Sequence, residues 1–271
     1  MKRAIMWTGL AAGVIGTGVW ARRRFAPDAK LALTTEPPQV PLMVPGRVAV
    51  ERVMGAADPS SELPLVVALH GVSADEAQLA PFILTDQPVR VVLLRGGLAS
   101  GRGFQWIKAR YKDPPAVFLE QVAQGAADVL AAIDTIASQR PVSKRIVLGY
   151  SQGAHLAWWL ATTGRVDHVI AVSGALPAGV PLPRSSSTVR TEAAHGTRDP
   201  VIPFAAGQAT AKLFEAAGYT VRFTSVSLAG HALSGIGHTI APALQAALRP
   251  PSAAAPRPWA LGLLGLRGLA R

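Results

Sequence analysis

Three side chains in this sequence could work as one chemical unit: Ser151, Asp199 and His231. A serine hydroxyl is a weak nucleophile until a neighbouring imidazole takes its proton. The imidazole in turn needs a carboxylate to fix its tautomer and stabilise the imidazolium. Ser151 lies in Gly149-Tyr150-Ser151-Gln152-Gly153, a G-x-S-x-G pattern short enough to arise by chance. Its surroundings make it more specific. Ile146-Val147-Leu148 runs into it like a strand, and Ala154 to Ala161 leaves it like a helix. This is the setting of a nucleophile elbow, a sharp turn that strains the serine and projects its hydroxyl. Gly149 and Gly153 suit it because strand and helix backbones approach too closely for a Cβ. The helix N-terminus also aims free N–H groups at the site. The plainer alternative is a turn or N-cap serine.

Chain order gives a test, because an elbow serine expects its acid and then its histidine further along the chain. His195-Gly196-Thr197-Arg198-Asp199-Pro200 follows the apolar run Thr188–Ala194, which puts Asp199 in a strand-end loop. The plainer reading of Asp199 is an Asx-turn or a cap for the helix starting near Ala205. Gly230-His231-Ala232-Leu233 follows the run Tyr219–Val226, so His231 is expected as the general base. His238 is its rival, but it falls inside the last expected helix and reads as a helix-face residue. His155 and His168 follow element patterns and read as structural. After the run Leu65–His70 comes Gly71-Val72-Ser73-Ala74-Asp75-Glu76. In this position the Val72 backbone N–H is expected to pair with that of Gln152 as an oxyanion hole. His70 reads as a loop brace, and Asp75 and Glu76 as first-turn helix acids.

These residues need a scaffold that delivers them to one edge. Strand-like runs at Arg47–Val53, Leu65–His70, Val89–Arg95, Arg145–Tyr150, His168–Ser173, Thr188–Ala194 and Tyr219–Val226 alternate with helix-like segments. The helical segments are Asp75–Ile83, Pro115–Ser138, Gln152–Thr163, Ala205–Ala217 and Ile236–Leu248. Short Val, Ile and Leu runs between helices predict an α/β domain with a mostly parallel sheet buried on both faces. Ligands on such sheets bind beyond the carboxyl ends of the strands, where the three candidates fall. Only about a dozen Pro- and Gly-rich residues separate the fifth and sixth strand runs. That leaves no room for a large cap domain and predicts an open site.

The expected organisation is an N-terminal segment at 1–25, a proline-rich tether at 26–45, the α/β domain at 46–248 and a tail at 249–271. Residues 4–21 are uncharged and mostly apolar, bracketed by Lys2, Arg3 and Arg22 to Arg24, with Trp7 and Trp20 near the ends. An uncleaved membrane anchor is favoured over a cleaved signal peptide, since three arginines directly after a cut would hinder export. Positive charge on both flanks leaves the side open, with the extracytoplasmic side slightly preferred. The tail carries a second Pro- and Ala-rich tether, then an apolar WALGLLGLRGLAR segment too short to span a bilayer.

The net charge of +11 invites a nucleic-acid reading. Its distribution argues against one: residues 1–44 and 249–271 each carry a surplus of four positive charges, and 45–248 hold 17 basic and 14 acidic residues. A phosphate footprint needs clustered cations, so no nucleic-acid partner is expected. The chain has no cysteine, which removes thiolate catalysis and Cys-based zinc sites. It has no H-E-x-x-H and no Walker or dinucleotide-binding glycine pattern, so no metal or other cofactor is expected.

Taken together, LHGVSADE, LGYSQGAHLAWWLA, HGTRDPVIPF and GHALS resemble the four sequence blocks of the phospholipase/carboxylesterase family of α/β-hydrolases, over roughly residues 47–248. That family groups small esterases with lysophospholipases and acyl-protein thioesterases. The resemblance implies a cofactor-free hydrolase of carboxylic esters or thioesters, acting on small-molecule or lipid-like substrates with Ser151, Asp199 and His231. It also implies that Trp106 matches an aromatic lining the acyl side, with a packing tryptophan as the alternative. The chain departs from the family at Ser73, where relatives often carry glycine, and in its membrane-like N-terminus. Two other readings stay open: a membrane-tethered binding protein that keeps the fold without turnover, and a dienelactone-hydrolase-like or peptidase activity.

Overall fold

Runs of Val, Ile and Leu build the centre of the fold, which is described here from a computed structural model covering residues 42–176, 182–184 and 189–249. The strands are β1 (Ala49–Met54), β2 (Leu63–Leu69), β3 (Val89–Leu94), β4 (Leu98–Ser100), β5 (Gly103–Gln105), β6 (Val142–Tyr150), β7 (His168–Val172), β8 (Arg190–Gly196) and β9 (Thr220–Val226). Seven of them form one sheet in the order β1-β3-β2-β6-β7-β8-β9. β1 runs antiparallel to β3, and every other pairing in this sheet is parallel. Register is level at the centre: Leu148 of β6 pairs with Ala68 of β2 and Ile170 of β7. The carboxyl ends of these strands therefore share one edge.

The helices are α1 (Pro115–Gln139), α2 (Gln152–Ala161), α3 (Phe204–Ala216), α4 (Leu233–Ile236) and α5 (Ile240–Leu248). They cover both faces of the sheet, which is why β3 and β7 are buried at every position rather than alternately. Leu65, Val67 and Leu69 pack in one core with Phe118, Val122, Val129 and Ile133 of α1 and Trp158 of α2. Val66 and Ala68 point the other way, into a core with Leu79, Ile240 and Leu244. Each fully buried Val, Leu or Ile contributes about 1.5–3 kcal/mol relative to an exposed one. At the β1 edge the buried Glu51 carboxylate binds the Arg90 and Arg140 guanidinium groups, tying β1 to β3 and to the end of α1.

The mostly parallel sheet and helices on both faces, with no large cap among the described residues, agree with the α/β-hydrolase class. Three details differ from the sequence reading. The helix expected at Asp75–Ile83 is a 3-10 helix, Glu76–Phe82, with Pro81 inside it and the Asp75 carboxylate accepting from the Ala77 N–H at 3.0 Å. A proline there has no N–H for an α-helical bond. The last expected helix is three pieces: α4, a 3-10 turn at Gly237–Thr239, and α5. Pro242 falls in the first turn of α5, where no donor is required. The β4–β5 hairpin was not anticipated, because three-residue strands carry no readable period. The expected anchor at 4–21, and nearly all of the tether and tail, lie outside the described residues.

Candidate active site

Ser151 lies at the junction of β6 and α2 with φ 52° and ψ −113°, a left-handed conformation that costs a non-glycine residue about 1–3 kcal/mol. Its N–H donates to the Val172 carbonyl at 2.9 Å, fastening the turn to β7. The flanking glycines are sterically required. A Cβ on Gly149 would sit 2.2 Å from the Gly153 carbonyl oxygen, and one on Gly153 would sit 2.2 Å from that of Leu69. This is the elbow geometry expected from the sequence.

Asp199 and His231 follow the ends of β8 and β9, neighbouring parallel strands. Their loops are laced together, Thr197 N–H to Val226 O at 3.0 Å and Arg198 N–H to Ala229 O at 2.9 Å. Asp199 Oδ1 accepts from the N–H groups of Val201 and Ile202 at 2.8 and 2.9 Å. Its Oδ2 accepts from His231 Nδ1 at 2.7 Å, and His231 Nε2 is 2.8 Å from Ser151 Oγ. An ionised carboxylate can only accept, so the His231 proton is on Nδ1 and Nε2 is free to take one from serine. Asp199 is thus both the Asx-turn of the plainer reading and the partner of His231. Burial works against its charge, but bonds from His195, His231, Ile202 and Val201 together hold the carboxyl well below the usual carboxylate range. Tyr150 donates its hydroxyl to the His231 carbonyl at 2.8 Å. Burial and, secondarily, the Asp199 charge push that phenol up to about 12, so it keeps its proton as a donor.

The Val72 and Gln152 N–H groups make no turn, loop or cap hydrogen bond to backbone among the described residues, and both residues border a pocket with Ser151. The Val72 loop is braced by His70, whose Nε2 accepts from Gly96 N–H at 2.9 Å, and by Gln78, which accepts from Gly71 N–H at 2.8 Å. Burial lowers the His70 pKa, keeping that ring neutral as the brace requires. Ser73 has φ 60°, a conformation glycine adopts without strain. Its N–H donates to Phe104 O at 2.8 Å and its hydroxyl meets that of Ser100 at 2.9 Å, so the loop is held in this conformation. The Gln152 side chain adds a clamp absent from the sequence reading: Oε1 accepts from Trp106 N–H at 2.7 Å and Nε2 donates to Ile107 O at 2.9 Å.

The pocket at Ser151 has a volume of about 180 Å3, and Tyr111, Phe118 and His155 contribute an aromatic wall. Tyr111 stacks on His155 with centroids 5.8 Å apart, and Phe118 meets the same ring edge-on. Trp106 is not among the residues bordering this pocket, and its placement fits the packing alternative. Its indole is buried in the core, where Nε1 donates to the His70 carbonyl at 2.8 Å and the Arg47 guanidinium lies 5.6 Å from the ring. His238 borders a separate cavity of about 250 Å3 with Glu192 and Arg222. His155 and His168 are buried in α2 and β7.

Residues 51–239 match the phospholipase/carboxylesterase family across most of the chain. The chain belongs to that family. Acyl-protein thioesterase 1 of Debaryomyces hansenii is 32% identical over 108 residues, 36% of this chain and 43% of the yeast protein. The chain thus matches less than half the length of that relative. Among solved structures, esterase PE8 superposes with a TM-score of 0.61 at 20% identity, covering 75% of this chain and 99% of that one. A carboxylesterase from Mesorhizobium loti gives 0.56 at 22% identity, covering 71% and 91%, and one from Bacillus cereus gives 0.57 at 19%, covering 69% and 87%. At such identities the structures speak for the fold. Family membership supports a hydrolase of the carboxylesterase or thioesterase type.

Proposed function

We propose that this family member cleaves carboxylic esters or thioesters through an acyl-enzyme on Ser151. The observation that carries the reading is the continuous chain from Ser151 Oγ through His231 to Asp199, with hydrogen-bond contacts of 2.8 and 2.7 Å. Ser151 Oγ attacks the carbonyl carbon while its proton moves to His231 Nε2. Negative charge gathers on the carbonyl oxygen, toward the N–H groups of Val72 and Gln152. The intermediate collapses, the carbon–oxygen or carbon–sulfur bond breaks, and the leaving alcohol or thiol takes the proton from His231. Water then attacks the acyl-serine by the same route in reverse, giving its proton to His231 and releasing the acid and free Ser151.

The reading of substrate size rests on the pocket. A small pocket of about 180 Å3 with an aromatic wall favours a short acyl chain. The test is a series of esters and thioesters of increasing acyl length, hydrolysed by the full-length protein. The account expects kcat/KM to rise with each methylene that enters the pocket, by about 0.8 kcal/mol or roughly fourfold, and to stop rising once added methylenes stay in solvent. No turnover of any ester or thioester in the series would overturn the proposal.

A further inference from the structure

The acid of the relay faces two imidazoles, and the mechanism above uses only one. His195, the last residue but one of β8, is 1% exposed, and its Nε2 lies 2.9 Å from the Ile202 carbonyl oxygen. The same nitrogen is 3.3 Å from Asp199 Oδ2, the oxygen that accepts from His231. A carbonyl oxygen only accepts, so the His195 proton is on Nε2 and points into the space shared by Ile202 O and Asp199 Oδ2. On the opposite side of the ring, a Cβ on Gly207 would meet Nδ1 at 2.3 Å. The bare glycine in α3 lets the ring press against the carboxylate. Phe204, at the start of the same helix, closes the pocket edge-on with centroids 6.1 Å apart.

We propose that His195 is a positioning residue: its Nε2–H, shared between Ile202 O and Asp199 Oδ2, fixes the Asp199 carboxylate in the ionised state and in the orientation that His231 requires. The proposal rests on the reading of Asp199 as the relay acid. Four donors then surround one buried carboxylate, two N–H groups on Oδ1 and two imidazole N–H groups on Oδ2. The arrangement has a chemical consequence. An oxygen already facing a second N–H is a poorer acceptor for the His231 proton, so that proton stays on Nδ1 while Nε2 exchanges with serine. Tyr150 is a further titratable group within electrostatic reach of Asp199, and His155 in α2 is within electrostatic reach of both imidazoles.

The test uses three variants of the full-length protein. His195→Leu removes the donor at similar volume, His195→Gln returns an N–H at the position of Nε2, and Gly207→Ala displaces an unaltered His195. With the donor gone, Oδ2 holds the His231 imidazolium more tightly, so the acid limb of the kcat/KM profile moves to higher pH by roughly half a unit. His231 ring resonances followed by NMR should show the same upward shift without depending on turnover. We expect kcat/KM to fall about tenfold in His195→Leu and Gly207→Ala, and His195→Gln to recover to within about threefold of the parent. A ring that only fills space would lower thermal stability and leave the acid limb in place. The inference is overturned if His195→Leu or Gly207→Ala keeps the parental limb and rate, or if Leu and Gln behave alike. A parent protein whose activity survives Ser151→Ala would instead overturn the underlying relay, whatever the His195 variants do.

Discussion

At the scale of single residues, the assignment of the base is the sharpest choice. His231 lies between Ser151 and Asp199, whereas His238 borders a separate cavity with Glu192 and Arg222. His231→Ala should therefore lower kcat by four orders of magnitude or more, about as far as loss of Ser151, because members of the relay act as a unit. His238→Ala should stay within about twofold of the parent in a steady-state esterase assay. Asp199→Asn should fold but turn over far more slowly, since an amide N–H facing Nδ1 favours the wrong tautomer. A severe defect in His238→Ala with a mild one in His231→Ala would contradict the assignment. These three residues were legible because each follows an apolar run in the required chain order. His195 was not, although it was in plain view in HGTRDP: nothing in a one-dimensional pattern says that its ring turns back onto Asp199. Trp106 was left between two readings for the same reason, since an indole near a strand end suits a pocket wall or a core equally well, and its N–H meets the His70 carbonyl.

At the scale of elements, two buried histidines give the fold a pH dependence. His155 in α2 and His168 in β7 are each held down to about 4, chiefly by burial. An unfolded histidine titrates near 6.5, so between about 6.5 and 4 the unfolded chain binds more protons than the folded one. The stability they contribute is therefore present above pH 6.5 and is lost as the pH falls through that window. Denaturation midpoints measured between pH 6.5 and 5, where exposed carboxylates are still ionised, should fall with pH. His168→Leu should reduce the slope, and it also removes a buried Nε2 that has no partner among the described residues. A flat profile, or an unchanged slope in the variant, would contradict this. The strands and long helices were readable to within a few residues because a sheet buried on both faces demands unbroken Val, Ile and Leu. The β4–β5 hairpin and the 3-10 turn at Gly237–Thr239 were not, because three residues are too few for a period, and at Glu76–Phe82 the helix was placed but its 3-10 type was missed.

At the scale of the whole chain, the charge pattern divides a nearly balanced domain from two basic ends. We propose that residues 4–21 anchor the protein in a membrane. They are uncharged and bracketed by five basic residues, and five prolines follow between 26 and 45 before the domain begins. A helix held in lipid by apolar burial is indifferent to ionic strength. Full-length protein should therefore sediment with membranes and resist high-salt and carbonate washing, with an intact N-terminus by sequencing. Soluble protein beginning at Arg22 would mean that the segment is a cleaved signal instead.

The central claim is that Ser151 Oγ carries the acyl group, and covalent trapping reads this directly. Treated with an organophosphonate ester, the full-length protein should lose esterase activity in step with the gain of one phosphonyl adduct by intact mass, and peptide mapping should place that adduct on Ser151. Ser151→Ala should gain no adduct, fold normally and retain only the residual rate that substrate binding and the oxyanion hole supply. An adduct on another serine, or full activity in Ser151→Ala, would contradict the account.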